Sequence, residues 1–349
     1  MWRTAHVFLV VFATMLYATV SFAFDSGAIL LRYPANARIV AMGDIGVSDN
    51  SDPSTIFFNP ANVCARNRIY GVVSQQRWDS ADFLPDDFHV RRANAGFSRG
   101  SSAGSPWTFG ADIGYGRFSY GESIATNTDG TVLDTIDTYE EVGSLGVGVG
   151  FRATETLELR FGAGVKHWHA HFAGAEVGNG PSVIEFGGTS FDAGFVAALH
   201  ERYGAWNITP GVGAAIIDAG PDVEVDGFGS DPLPTRLNFG ASVRIESAPV
   251  DVLSAHVPLL AVVCQSDGIK PLHDDFEWGI GNEIAVAQIL FLRNGVRRYA
   301  RRSGDDATYS SWGAGVGIPA GPLRMRFDYG TQKNSYEKDH MDLLVEWTF

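Results

Sequence analysis

The chain has 349 residues, a formal net charge of −14, two cysteines and 41 glycines. An acidic balance without clustered Lys or Arg excludes a nucleic-acid face, and glycine at that share without a Gly-X-Y period excludes both a helical protein and a collagen. Beyond residue 23 no apolar run is long enough for a membrane-spanning helix, so a membrane reading has to rest on strands.

Residues 1–23 read as a signal peptide. Arg3 and His6 precede an apolar run from Val7 to Val20, and Ser21-Phe22-Ala23 offers small residues at both specificity positions of a cleavage site. The run falls short of the roughly 20 residues a spanning helix needs. Export is therefore expected.

Residues 24–67 show no alternation. They contain Ala37-Arg38, then Met42-Gly43-Asp44-Ile45-Gly46-Val47, with turn signals at Asp52-Pro53 and Asn59-Pro60. This stretch has too little apolar surface for a core of its own. It is expected to sit inside a barrel as a hatch, held by inward-pointing charges.

From about Arg68 to Phe349 the pattern has a period of two, which places alternate residues on opposite faces of a strand. Leu157, Leu159, Phe161, Ala163 and Val165 oppose Glu158, Arg160, Gly162, Gly164 and Lys166. Strands are predicted at 68–76, 88–99, 106–120, 141–153, 156–170, 187–202, 204–217, 234–247, 250–264, 275–286, 288–298, 308–318, 321–332 and 339–349. That is fourteen, an even number, and the connections alternate between long and short. Outer-membrane barrels sort their loops this way, with short periplasmic turns, longer outer loops and both ends periplasmic. The fold class is therefore all-β, a 14-stranded antiparallel transmembrane β-barrel over 68–349 with an N-terminal hatch in its lumen.

Trp107, Tyr115, Tyr120, Trp168, Tyr329 and Trp347 are placed in the interfacial girdles. Arg236, Arg244, Arg324, Arg326 and Asp328 fall on the inward parity and make the lumen polar. Acids gather in the outer loops, at Asp79–Asp87, Asp129–Glu141, Asp218–Asp231 and Asp305–Asp306. Solvation accounts for them, and bridging to lipopolysaccharide through divalent cations is the alternative. Cys64 near the periplasmic rim and Cys264 near the outer rim are expected to be unpaired thiols.

His167, His169 and His171 share one strand face, a spacing at which imidazoles can grip zinc or copper, but their parity faces lipid. Asp222-Val-Glu224-Val-Asp226-Gly227 imitates a calcium loop but has Leu233 where the twelfth-position Glu is required. There is no Gly-x-Ser-x-Gly nucleophile element. The expectation is a non-enzymatic protein with no cofactor and no resident metal.

Ala37-Arg38-x-x-x-Met42-Gly43-Asp44-x-Gly46, then Asp52-Pro53-Ser54 and Asn59-Pro60-Ala61, resemble the N-terminal region of the PorV and PorQ proteins, within the FadL-like group of fourteen-stranded outer-membrane barrels. Leu233-Pro234-Thr235-Arg236-Leu237 at the start of a strand is similar to that group. The specific motifs lie within residues 37–62, and Phe58 stands where a Trp often precedes Asn-Pro-Ala. The resemblance implies a hatch that includes Asn59, Pro60 and Ala61, and two functions. A PorV-type protein binds or shuttles exported cargo with the components of a type IX-like secretion system. The alternative is a FadL-like passive transporter of hydrophobic small molecules. Other expected partners are outer-membrane lipid, lipopolysaccharide and, through the last strand ending at Phe349, the barrel-assembly machinery.

Overall fold

The computed structural model describes residues 28–33, 36–49, 52–65, 67–77, 88–100, 105–126, 129, 131–174, 182–225, 229–299, 307–333 and 338–348. The stretch read as a signal peptide, the acids at Asp79–Asp87, Asp226 and Asp305–Asp306, and Phe349 lie outside them.

Fourteen strands form the ring: β1 Arg68–Arg77, β2 Phe88–Gly100, β3 Trp107–Thr126, β4 Val132–Arg152, β5 Leu157–Gly174, β6 Ser182–Leu199, β7 Trp206–Ala219, β8 Arg236–Ser247, β9 Leu260–Pro271, β10 Glu277–Val286, β11 Leu290–Tyr299, β12 Ala307–Ala320, β13 Leu323–Lys333 and β14 Lys338–Thr348. Each pairs antiparallel with its neighbours, and β1 closes on β14 from Arg68↔Thr348 to Arg77↔Asp339. The ring leaves no free edge, which satisfies the backbone in a medium that cannot.

Alternation decides the two faces. Arg68, Tyr70, Val72, Ser74 and Gln76 of β1 are buried inward, while Ile69 and Val73 stand 51% and 58% exposed on the outside. Phe97, Phe109, Ile113, Leu145, Val147, Phe161, Val316 and Phe327 extend this exposed belt around the ring. Soluble monomers rarely show apolar patches above a few hundred Å², so this belt is a lipid-facing surface.

Three expectations need correction. The predicted strand 250–264 is really a hairpin, Pro249–Val252 with Ala255–Pro258, followed by β9 at Leu260–Pro271. Its tip, Leu253 and Ser254, takes positive φ (47° and 66°), as a two-residue hairpin turn of this kind requires. Pro258 has no N–H to continue a ladder. Cys264 consequently lies in the periplasmic half of the wall and faces outward, not at the outer rim; it and Cys64 are free thiols.

Second, much of the expected loop 121–140 is strand. β3 and β4 stay paired to Thr126↔Val132, with register shifts at Ser119/Glu122 and Ala125/Thr126. Third, Trp168 and Tyr120 are not girdle residues. They sit on the inward parity, and Trp168 is 2% exposed. Trp107, Tyr115 and Trp347 do face outward.

Candidate functional site

Residues 28–65 make contacts with inward side chains on strands right around the ring. Asn36 caps the one-turn helix α1, Ala37–Ala41, by accepting from Ile39 N at 2.9 Å. Asp342 of β14 accepts from Ala37 N at 2.8 Å. Gly43, at φ +81°, turns the chain so tightly against β11 that a Cβ there would meet Val296 O. Asp44 accepts from Tyr299 Oη at 2.7 Å, and its carbonyl accepts from Arg297 at 2.6 Å. Asp267 of β9 accepts from Gly46 N and Val47 N at 2.7 and 2.9 Å. Asn59 accepts from Ala61 N at 3.0 Å and donates to Val47 O and to Phe195 O of β6.

Inward glycines receive this segment. A Cβ at Gly295 would collide with the Met42–Gly43 backbone, one at Gly162 with Pro60–Ala61, and one at Gly330 with Ala37. The motif residues Ala37, Arg38, Met42, Gly43, Asp44, Gly46, Asp52, Asn59, Pro60 and Ala61 are therefore the parts of the segment that meet the wall or hold its turns.

The charges form a ladder. Asp49 bonds Arg38 at 2.6 Å, Arg38 bonds Glu283 at 2.8 Å, Glu283 bonds Arg293 at 2.7 Å, and Arg293 bonds Asp328 at 2.7 Å. Arg326 joins Asp328 at 2.5 Å and also reaches Asp52. Burial works against the charge on Arg38, but Asp49, Glu283 and Asp52 hold its guanidinium well above the usual arginine range. Arg236 lies 3.6 Å from Asp218, Arg244 pairs with Glu246 at 2.8 Å, and Arg324 is 4.0 Å from Glu346. All five inward charges named from the sequence are thus on the lumen side, but Arg326 and Asp328 alone join the ladder.

The lumen is not uniformly polar. Above the segment, the inward faces of β2 to β6 carry an aromatic series absent from the sequence reading. Tyr33 meets Phe118 (5.1 Å between centroids), Phe118 stacks on Tyr120 (4.2 Å), Tyr120 meets Phe172 (5.6 Å), Phe172 stacks on Phe186 (5.6 Å), and Phe186 meets Trp168 (5.9 Å). Leu30, Leu31, Val142, Val223 and Leu233 complete this cluster.

Beside it, between the segment and the wall, lies a cavity of about 90 Å³. Phe57 and Phe58 line it, with Leu31 and Tyr33 on one side, Leu233, Pro234 and Arg236 on another, and Arg92 and Arg297 on the wall. A second cavity of about 40 Å³ lies towards the periplasmic end, lined by Phe291, Arg324, Arg326 and Glu346. Along β10 and β11, Glu283 and Arg293 stand between the lining residues of the two cavities, so the ladder separates them. The first described residues pack on the outer-half side chains Glu140 and Phe118. Over the described residues the segment therefore runs from the outer half of the lumen at Leu30 towards the periplasmic rim at β1.

The remaining candidates do not converge. His167 contacts Thr189 at 3.2 Å and His171 contacts Glu185 at 2.9 Å, both on the outer surface. Among the described residues no group of three or more His, Cys, Asp or Glu is arranged to hold a metal ion. Val223–Val225 pairs with Gly229–Asp231 as a small outer hairpin, and Asp226 lies outside the described residues. Cys64 is buried in the segment, which pushes its thiol up to about 11 although Arg160 is nearby.

Comparison with solved structures decides the architecture. The monoaromatic hydrocarbon channel CymD aligns over 93% of this chain and 99% of its own, with a TM-score of 0.50 and 11% identity. The likeness is one of fold, a closed fourteen-stranded antiparallel barrel. A Pseudomonas aeruginosa FadL homologue aligns over 95% of this chain and all of its own, at TM-score 0.49 and 11% identity. The Ralstonia pickettii toluene transporter TbuX aligns over 89% of this chain and 97% of its own, at 0.46 and 14%. No family model matches the sequence, and no curated protein matches it. A closed fourteen-stranded ring with an apolar belt around it is an outer-membrane β-barrel.

Proposed function

We propose that this barrel is a passive channel for hydrophobic small molecules. The observation that carries the reading is the aromatic series from Tyr33 to Trp168, which gives the outer lumen an apolar inner wall ending beside the 90 Å³ cavity. Pockets for small ligands are concave, mostly apolar and furnished with a few placed polar groups, and this site has that make-up. Residues 28–65 act as the hatch, with the ladder around Arg38 holding it shut between the two cavities. That CymD, which shares the fold, is named as a monoaromatic hydrocarbon channel supports the same direction. Cargo shuttling rests on the motif resemblance within 37–62 alone, and nothing in the lumen favours it.

The test is uptake of a labelled monoaromatic compound by cells expressing the barrel, with Phe118→Ala/Trp168→Ala as the altered form. Uptake should fall several-fold while the folded barrel persists in the membrane. Unchanged uptake by a folded double variant would sink the proposal.

A further inference from the structure

We propose that the outward face of β14, β1, β2 and β3 is a binding site for a phosphorylated, multiply acylated lipid of the outer leaflet, with Arg91 holding its headgroup. The site lies on the outside of the wall and stands independently of the transport reading.

Strand β2 carries the argument. Taken inward from the outer rim, its outward residues are Arg91, Ala93, Ala95 and Phe97. The two alanines are small where the neighbouring strands carry bulk. With Gly71 of β1 they floor a groove of about 440 Å³ that opens to lipid. Leu343 and Val345 of β14 form one wall, and Ile113 and Tyr115 of β3 form the other. Phe97 stands at the inner end and Arg91 at the outer end. Six residues of strand rise about 20 Å, and a tilt of about 45° turns that into roughly 14 Å of depth, half of a hydrocarbon core of about 30 Å. The groove therefore spans one leaflet, with a cation where the headgroups begin.

The charges above the groove fit an anionic head. Arg91 faces Arg117 directly across the β2–β3 ladder, and like charges opposed in this way destabilise a sheet. Arg117 is neutralised by Glu141 and Asp137, each at 3.0 Å. Arg91 is exposed, and among the described residues it makes no hydrogen bond and no ion pair. Arg77 lies one row further out on β1, between His89 and Asp339. One uncompensated guanidinium, flanked by two others, thus heads an apolar groove. A guanidinium presents its donors in a planar fork that matches phosphate oxygens in pairs, and such charge-assisted bonds are roughly twice as strong as neutral ones. A phosphate between Arg91 and Arg117 relieves their repulsion, and an acyl chain below it covers the alanines. Because the groove is built from both sides of the β14–β1 seam, a lipid seated there also bridges the first and last strands.

The experiment is native mass spectrometry of the full mature chain released from a non-ionic detergent. The probes are diphosphoryl lipid A, the same lipid stripped of its phosphates, and inorganic phosphate. One diphosphoryl lipid A should stay bound per barrel, and the stripped lipid should bind about ten-fold more weakly or worse, the size of one charged hydrogen bond. Arg91→Gln should weaken diphosphoryl lipid A by the same factor and leave the stripped lipid unchanged. Ala93→Phe, which fills the floor, should weaken both lipids. Arg298→Gln, which removes an outward cation of β11 across the ring, should weaken neither. Bound lipid A should raise the unfolding midpoint of the unaltered protein and not that of Ala93→Phe. Equal binding of the stripped lipid, or inorganic phosphate held as tightly as lipid A, overturns the assignment of an acylated phosphate. An equal loss in Arg298→Gln assigns the binding to diffuse charge and overturns the site. A lipid-free dimer that Ala93→Phe breaks gives the groove to a second copy, which overturns the proposal as well.

Discussion

Replacing Arg38 with Met tests how firmly the segment is held. The side chain is fully buried and bridges Asp49 at 2.6 Å and Glu283 at 2.8 Å. Removing one member of a buried ion pair typically costs about 3–5 kcal/mol, because its partner is left as a buried charge. Glu283 keeps Arg293 at 2.7 Å, so the loss falls mainly on Asp49 and the lower figure applies. About 3 kcal/mol corresponds to a rise of roughly 150-fold in the undocked population of the segment. Hydrogen exchange in nanodiscs reads this directly. Amides of Val40, Met42, Gly46 and Val47 should lose about two decades of protection while the β1–β14 ladder stays protected. Planar-bilayer recordings should show current bursts that the unaltered protein lacks. Protection at Gly46 and Val47 that is unchanged would refute the reasoning, since it would mean the ladder contributes nothing to docking. Loss of protection throughout the ring would refute it differently, by making the ladder part of the wall.

Gly295→Val should leave the ring folded but prevent α1 from seating, because its Cβ would occupy the Met42–Gly43 backbone; limited proteolysis should then cut within residues 37–62. At pH 8 a thiol with a pKa of about 11 is about 0.1% thiolate, so Cys64 should resist water-soluble maleimide in the folded protein and react on denaturation. Cys264, facing lipid, should react with a lipid-partitioning maleimide and not with a charged one in intact membranes. Leu253→Asn/Ser254→Gly supplies residues suited to positive φ at both hairpin positions and should raise stability by about 1 kcal/mol, read as a higher unfolding midpoint with uptake unchanged.

Most of the ring was legible because a period of two is a strong signal and lipid makes it obligatory. The alternation in β3, Trp107, Phe109, Ile113 against Gly110, Asp112, Gly114, assigns both faces correctly. What went unread was the same parity followed outward. Gly114 and Gly116 lead directly to Phe118 and Tyr120, so the face that is glycine-rich where the segment docks becomes aromatic above it. Counting aromatics at strand ends as girdle residues hid this, and Trp168 suffered the same misassignment. The slip at 250–264 had a different cause, because Val250 and Val252, and then Ala255 and Val257, each alternate as a strand would; the change of parity between Val252 and Ala255 marks the turn, and Pro258 the break that follows. Which cation meets which carboxylate was not legible at all. Arg38 and Glu283 are 245 residues apart, and only closure of the ring brings them together.

Asp342 lies on β14, the last strand, and caps Ala37 across 305 residues of chain. β14 is also the strand that seals the ring against β1. Closing the ring therefore does two things through one strand: the hydrogen-bond seam is completed, and the carboxylate that anchors α1 is set in place. Closure of the wall and seating of the interior segment thus converge on one strand, so a change in β14 that loosens the seam also loosens α1.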